Sequence, residues 1–279
     1  WHLHEISPGF WQDDFGVVWN RTGADKDIGV VDHIILTEPS LSNYRFPDLD
    51  PDQIHREYQA LMDRRDDTFK LGSIGFSLFE RAWTLRGMEN LLMDMVLEPD
   101  FVDELLQAIL TYHLKVIDIA LQYDIDGFHF GDDWGQQKGL IMGPSYWRRF
   151  IKPVLAVMYD RVKQKNKYIS QHSCGDIHEI LPDLIDIGLD VYQTVQPEIY
   201  DLQTLKRDFG RHLTFWGGIS TQRLLPFGTP EEVRRVTRET IKMMGKGGGY
   251  IAAPTHAIPG DVPPENVIAL LQVLHHQDL

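Results

Sequence analysis

From residue 68 onward the chain alternates short apolar runs with longer stretches of helical periodicity, and that alternation constrains the fold more than any other feature. Strands are predicted over residues 69–74, 126–130, 168–171, 190–194, 213–216 and 250–253. Each is apolar or β-branched and bounded by Gly, Asp or Pro, as strands buried on both faces tend to be. Helical patterns separate them. "DFVDELLQAILTYHLKVIDIALQY" carries apolar residues three and four apart behind Asp100, the expected N-cap. "PSYWRRFIKPVLAVMYDRVKQ" contains Pro153, which is expected to kink or interrupt it. "TPEEVRRVTRETIKMMGKGGG" has Thr229 as N-cap, Pro230 at the first helical position, acids in the first turn and glycines beyond the last.

An unbroken strand–helix order implies an α/β fold whose parallel sheet is covered by helices. A doubly wound open sheet and a closed barrel both satisfy it. The (β/α)8 TIM barrel is preferred, because residues suited to chemistry fall just after strand after strand, where barrel active sites assemble. Six strands are legible. The other two are expected before Trp1 or within the N-terminal part, and the start at Trp instead of Met suggests that part of the N-terminus is missing. Within residues 1–67, "FGVVWNRTGADKDIGVVDHIIL" predicts a β-hairpin and "EPSLSNYRFPDLDPDQ" a Pro-rich loop before a short helix. Residues 1–279 are read as one domain, 1–67 being an elaboration on a barrel at 68–279.

The formal net charge of -14 leaves no basic footprint for nucleic acid. No apolar run approaches the ~20 residues that span a bilayer, and the first residues lack the basic start and apolar core of a secretory signal. The single cysteine excludes an internal disulfide, which fits a reducing compartment; a cytoplasmic location is expected.

That cysteine lies in "QHSCGD", two residues after His172. Residues two apart at a strand end point to the same side. A neutral imidazole and a thiolate are standard zinc ligands, and a catalytic zinc needs a third protein ligand and an open position. The same pair also fits a small buried thiol beside a hydrogen-bonded loop histidine. His256, just beyond the last predicted strand, is the candidate third ligand. Glu198, Asp132 and Asp133 also follow strand ends; as acids they suit catalysis, helix capping or a solvated loop, and His129 suits substrate contact or packing. No P-loop, no G-x-G-x-x-G after a strand and no G-x-S-x-G elbow is present.

Five segments together carry a resemblance: "GSIGFSLFERAWTLRGMENLLMD", "DDWGQQKGLIMGPSYWRRFIKP", "QHSCGDIHEILPDLIDIGLDVYQTVQP", "LTFWGGISTQRLLPFGTPEEV" and "GGGYIAAPTHAIPGDVPPENV". In order and without large gaps, they resemble the uroporphyrinogen decarboxylase superfamily. The resemblance implies a (β/α)8 barrel with its active site at the C-terminal mouth. It also implies one of two chemistries: cofactor-free decarboxylation of uroporphyrinogen, or zinc-dependent methyl transfer between corrinoid proteins and a thiol or other acceptor. The H-x-C-G element is similar to the methyltransferase branch, which makes His172 and Cys174 zinc ligands. His256 stands where that branch usually has a third, cysteine ligand, although the decarboxylase branch also has a substrate-contacting histidine in this loop. Two imidazoles and one thiolate can hold zinc, and leave it more Lewis-acidic than two thiolates would.

A uroporphyrinogen pocket needs several arginines. Arg81 and Arg86 follow the first predicted strand, and no cluster stands out elsewhere. The corrinoid-binding D-x-H-x-x-G is also missing, since "DIHEIL" ends in Leu, so any corrinoid is expected on a partner protein. The reading is therefore a zinc-dependent methyltransferase acting on a small-molecule donor or acceptor. Its metal ligands are His172, Cys174 and His256, its catalytic acids Asp132, Asp133 and Glu198, and its substrate contacts His129, Trp134, Arg81 and Gln196. The alternatives are a decarboxylase-type lyase and a non-catalytic barrel subunit.

Overall fold

A computed structural model describes residues 2–23, 29–64 and 67–276. The chain forms two compact units, one of Trp1–Asp133 with Met142–Lys167, the other of Trp134–Ile141 with Tyr168–Leu279.

The first unit opens with an antiparallel sheet of β1 (Leu3–Ser7), β2 (Phe10–Asp13), β3 (Val18–Asn20) and β4 (Val30–Val31), in that order. The expected hairpin is the β3–β4 pair, with Trp19 opposite Val31; residues 24–28 of its connector lie outside the described residues. The sheet is wider than the sequence suggested, because Trp11 pairs with Glu5 on one side and Trp19 on the other. Next come α1 (Pro51–Asp63), β5 (Leu71–Ile74), α2 (Phe79–Arg86), α3 (Met88–Leu97), α4 (Pro99–Ala120), β6 (Gly127–Gly131), α5 (Gly143–Tyr146) and α6 (Lys152–Lys163).

β5 and β6 pair in parallel, Leu71 opposite Gly127 through Ile74 opposite Phe130. Phe128 and Phe130 are fully buried, their ring centroids 4.8 Å apart, and Phe130 lies 5.4 Å from the ring of Tyr159 on α6. Each such side chain withdrawn from water contributes ~1.5–3 kcal/mol. Asp100 is not the cap of α4: Pro99 takes the first helical position, where its missing N–H costs nothing, and Asp100 sits in the first turn. Pro153 interrupts its helix as expected, and the break is a π-helical turn over Trp147–Ile151 that precedes it.

One buried ion pair ties the N-terminal sheet to α2. Asp13 accepts the backbone N–H groups of Phe15 (3.0 Å) and Val17 (2.9 Å) through one oxygen, and the Arg81 guanidinium (2.8 Å) through the other. Arg81 also lies over the Phe15 ring at 4.0 Å. Arg86 is similarly held by Asp94 and by the carbonyls of Leu36 and Thr37. Both arginines are thus committed to structure.

The second unit starts with a small antiparallel hairpin, β7 (Gly135–Gln136) and β8 (Gly139–Leu140). β9 (Tyr168–His172), α7 (Leu181–Asp186), β10 (Val191–Val195), α8 (Leu202–Phe209), β11 (Thr214–Ile219), α9 (Leu224–Phe227), α10 (Pro230–Met244), β12 (Tyr250–Pro254) and α11 (Pro264–His275) follow. The four strands β9 to β12 are parallel and neighbour one another in chain order. A doubly wound sheet requires a reversal of that order at its switch point, and no reversal occurs within this unit. The Thr229 capping box forms as the sequence predicts, with Glu232 closing it. Ile219, Leu225, Val233, Val262, Ala269 and Leu270 make one core cluster. Among the described residues no helix is long and apolar enough to cross a membrane.

Candidate metal centre

His172 ends β9, Cys174 follows it by two residues, and His256 lies two residues past β12. One ligand atom from each can be chosen so that all three lie within 4.8 Å of one another. On a flat sheet, the three strand spacings from β9 to β12 would cover ~14 Å. In the folded chain the donor atoms lie far closer than that, so packing beyond the flat ladder brings them together. His172 and Cys174 are half-buried and His256 is exposed, so the cluster opens to solvent on one side.

The donor geometry suits zinc. Cys174 Sγ lies 3.5 Å from His172 Nε2. Bond lengths near 2.3 Å to sulfur and ~2.05 Å to nitrogen, at a tetrahedral angle, place such a pair ~3.6 Å apart. The other ring nitrogen, Nδ1, hydrogen-bonds the side-chain oxygen of Gln193. A carbonyl-type oxygen accepts only from N–H, so Nδ1 carries the proton and Nε2 keeps its lone pair for an ion. The rings of His172 and His256 meet edge to face with centroids 5.7 Å apart.

The loop presenting Cys174 is held from several sides. Gly175 N–H donates to Gln196 Oε1 at 2.8 Å. The Tyr200 hydroxyl accepts from Ile177 N–H and donates to the Gly175 carbonyl, both at 2.9 Å. Burial pushes the Tyr200 pKa up to about 12, so it remains a neutral donor and acceptor. Gly175 has φ +78°, and a Cβ there would strike the backbone of Gly135; only glycine fits. Trp134 N–H donates to Ser173 Oγ at 3.0 Å, and Asp176 N–H to the Gln136 carbonyl at 2.8 Å, so the β7–β8 hairpin braces the ligand loop.

The remaining predicted residues fall as follows. Gln196 supports the loop. Glu198 follows β10 and accepts the Ser220 hydroxyl on one oxygen, while its other oxygen is buried without a hydrogen-bond partner. Trp134 is fully buried beside Ser173. In the first unit, Asp132 is fully buried and accepts the N–H groups of Phe79 (2.9 Å) and Glu80 (2.8 Å) at the start of α2; these bonds give it a capping role. Asp133 follows it, half-buried. His129 is half-buried opposite Ser73 on β5, and Arg81 is bound to Asp13. Gln193, Tyr200 and the Gly135–Gly175 contact went unnoticed in the sequence. Gln193 had one usable signal, since β10 follows β9 and a register of Gln193 opposite His172 puts the two side chains on one face.

The family model of uroporphyrinogen decarboxylase (URO-D) matches residues 48–277, and the chain belongs to that family. The uroporphyrinogen decarboxylases of Coxiella burnetii strains Dugway 5J108-111 and RSA 493 / Nine Mile phase I are each 25% identical over 187 residues, covering 64% of this chain and 48% of theirs. The chain thus spans about half the length of the curated relatives it matches. A solved structure of a methyltransferase from Methanosarcina mazei has the same fold, with a TM-score of 0.74 and 19% identity over 93% of this chain and 75% of that one.

Proposed function

We propose that this chain is a zinc-dependent methyltransferase of the URO-D superfamily, built on a (β/α)8 barrel. It moves a methyl group between a corrinoid carried on a partner protein and a small-molecule donor or acceptor. The observation carrying this reading is the convergence of His172, Cys174 and His256, with Gln193 fixing the His172 tautomer. When bound, the zinc would supply Lewis acidity that favours deprotonation of an acceptor thiol near neutral pH. The protein's part is to present Cys174 as a thiolate, to keep the His172 Nε2 lone pair unprotonated and to hold the loop rigid through Gln196 and Tyr200. Its open side at His256 admits a small thiol. The buried, unpartnered oxygen of Glu198 suits a hydrogen bond from a bound molecule.

The decarboxylase reading is favoured by the curated relatives' names, and under it His256 would contact substrate. Against it, Arg81 and Arg86 are neutralised by Asp13 and Asp94 and offer no cluster to a polycarboxylate. Elemental analysis of protein purified without chelator decides between the two. About one zinc per chain, lost in Cys174→Ser, supports the methyltransferase; no zinc in the wild type overturns it.

A further inference from the structure

His256 differs from the other two candidate ligands in how it is held. The His172 ring is fixed by Gln193, and the Cys174 loop by Gln196 and Tyr200. Among the described residues the His256 ring has no hydrogen-bond partner, and it meets the ring of His172. Beyond it, the next buried residue is Val262. The place of this imidazole is therefore set by the backbone that leads into it, at Thr255.

Thr255 is 1% exposed and is gripped at three points. Its N–H donates to the Ile219 carbonyl at 2.9 Å. Its hydroxyl meets that of Thr221 at 2.9 Å and accepts the Thr221 N–H at 3.3 Å. Its carbonyl, which belongs to the peptide bond with His256, accepts the hydroxyl of Thr194. Thr194 and Thr221 are themselves buried. Removing one partner would leave a buried polar group unmet, which costs more than the bond itself contributes. The three threonines therefore hold as a set.

The Thr194 contact reaches across a strand. β10 and β12 are second neighbours on either side of β11, ~9.6 Å apart on a flat ladder. Gly217 of β11 stands between them, opposite Val195 on one side and Ala252 on the other. A Cβ on Gly217 would lie 3.3 Å from Thr194 Oγ1 and 3.0 Å from the Val195 nitrogen. Both are closer than a comfortable van der Waals contact, so glycine keeps the passage open. The preceding residue of β10, Gln193, holds His172. Consecutive strand side chains ordinarily point to opposite faces. Here the pairing of β10 with β11 shifts register between Gln193 and Val195, an irregularity of the kind that re-aims a side chain. One segment of β10 thus serves both imidazoles.

We infer that Thr194, with Thr221, is a positioning residue that brings the His256 imidazole beside the His172–Cys174 pair by holding the Thr255 backbone. Its consequence for zinc affinity rests on the proposed zinc-dependent function; the placement of the ring does not.

The test compares the full chain with Thr194→Val, Thr194→Ser and His256→Ala in two measurements. In metal-free protein labelled at histidine, a nuclear Overhauser effect between the ring protons of His172 and His256 reports their meeting. It is expected in the wild type and in Thr194→Ser, which keeps the hydroxyl, and is lost in Thr194→Val with circular dichroism unchanged. Zinc affinity, read by chelator competition, should fall at least ten-fold in Thr194→Val and recover in Thr194→Ser. It should fall no further when Thr194→Val is added to His256→Ala, because both changes remove the same donor. Should Thr194→Val not fold, Thr221→Val removes the hydroxyl partner of Thr255 instead and should give the same two losses, the second several-fold. An Overhauser effect absent from the wild type or retained in both valine variants overturns the inference, as does a further loss of zinc affinity in the His256→Ala background. A wild type that binds no zinc but whose ring contact still depends on Thr194 overturns the zinc-dependent function and supports the positioning role.

Discussion

Cys174 Sγ and His172 Nε2 stand 3.5 Å apart, while the opposite nitrogen of the imidazole is engaged by Gln193. The ring is thereby aimed before any ion arrives, and the aim depends on a residue one strand away. Gln193→Ala is expected to weaken zinc binding 10–100-fold while leaving the three donors in place. Competition with a chromogenic chelator measures this. A loss as complete as that of Cys174→Ser would mean that Gln193 is itself a ligand.

Gly175→Ala should be far more damaging than an exposed glycine substitution. The new methyl meets the Gly135 backbone, and the left-handed φ adds strain. A loss of ~2–4 kcal/mol in urea denaturation is expected, and under the proposed zinc reading metal binding should be lost with it, because the Cys174 loop must move. Retention of stoichiometric zinc would show that the loop has another route to its geometry.

The Asp13–Arg81 pair is buried on both sides, at 0% and 1% side-chain exposure. Asp13→Ala would strand the guanidinium and cost ~3–5 kcal/mol. The double replacement Asp13→Leu with Arg81→Met should recover much of that loss, because no unpaired charge remains. Equilibrium denaturation of the single and double variants checks both halves.

His113 makes the first unit acid-sensitive. Burial chiefly, with the nearby Arg81, lowers its pKa from 6.5 to about 3. The unfolded chain therefore takes up a proton as pH falls below 6.5 while the folded chain does not, and stability declines by about 1.4 kcal/mol per pH unit until about pH 3. His113→Leu removes that contribution. Its stability should fall less steeply than the wild type's between pH 6 and 4, measured by urea denaturation at each pH. Parallel slopes would contradict the assignment.

The strand–helix alternation was legible because burial on both faces leaves uninterrupted apolar runs: all six predicted strands form, each within a few residues of its expected bounds. The Thr229 cap was legible for a local reason, since its partners lie within three residues. Asp100 was misplaced by one turn's ambiguity, for a proline at the first helical position competes with an acid as the start signal. The N-terminal sheet was only half visible, because its outer pairings through Trp11 are set by register across strands and not by any turn motif.

At the candidate site, His172 and Cys174 could be paired from sequence alone, as two residues on one side of a strand end. Their meeting with His256, more than eighty residues on, depends on how β9 to β12 and the loop after β12 pack, which no local pattern encodes. Gln193 and the Gly135 contact depend on register and on two backbones touching, properties that exist only after the chain has packed. The sequence by itself determined which ligand types are available and the order in which strands deliver them. The tertiary structure alone decided which of them stand within reach of one another, because distance between remote residues is a property of packing.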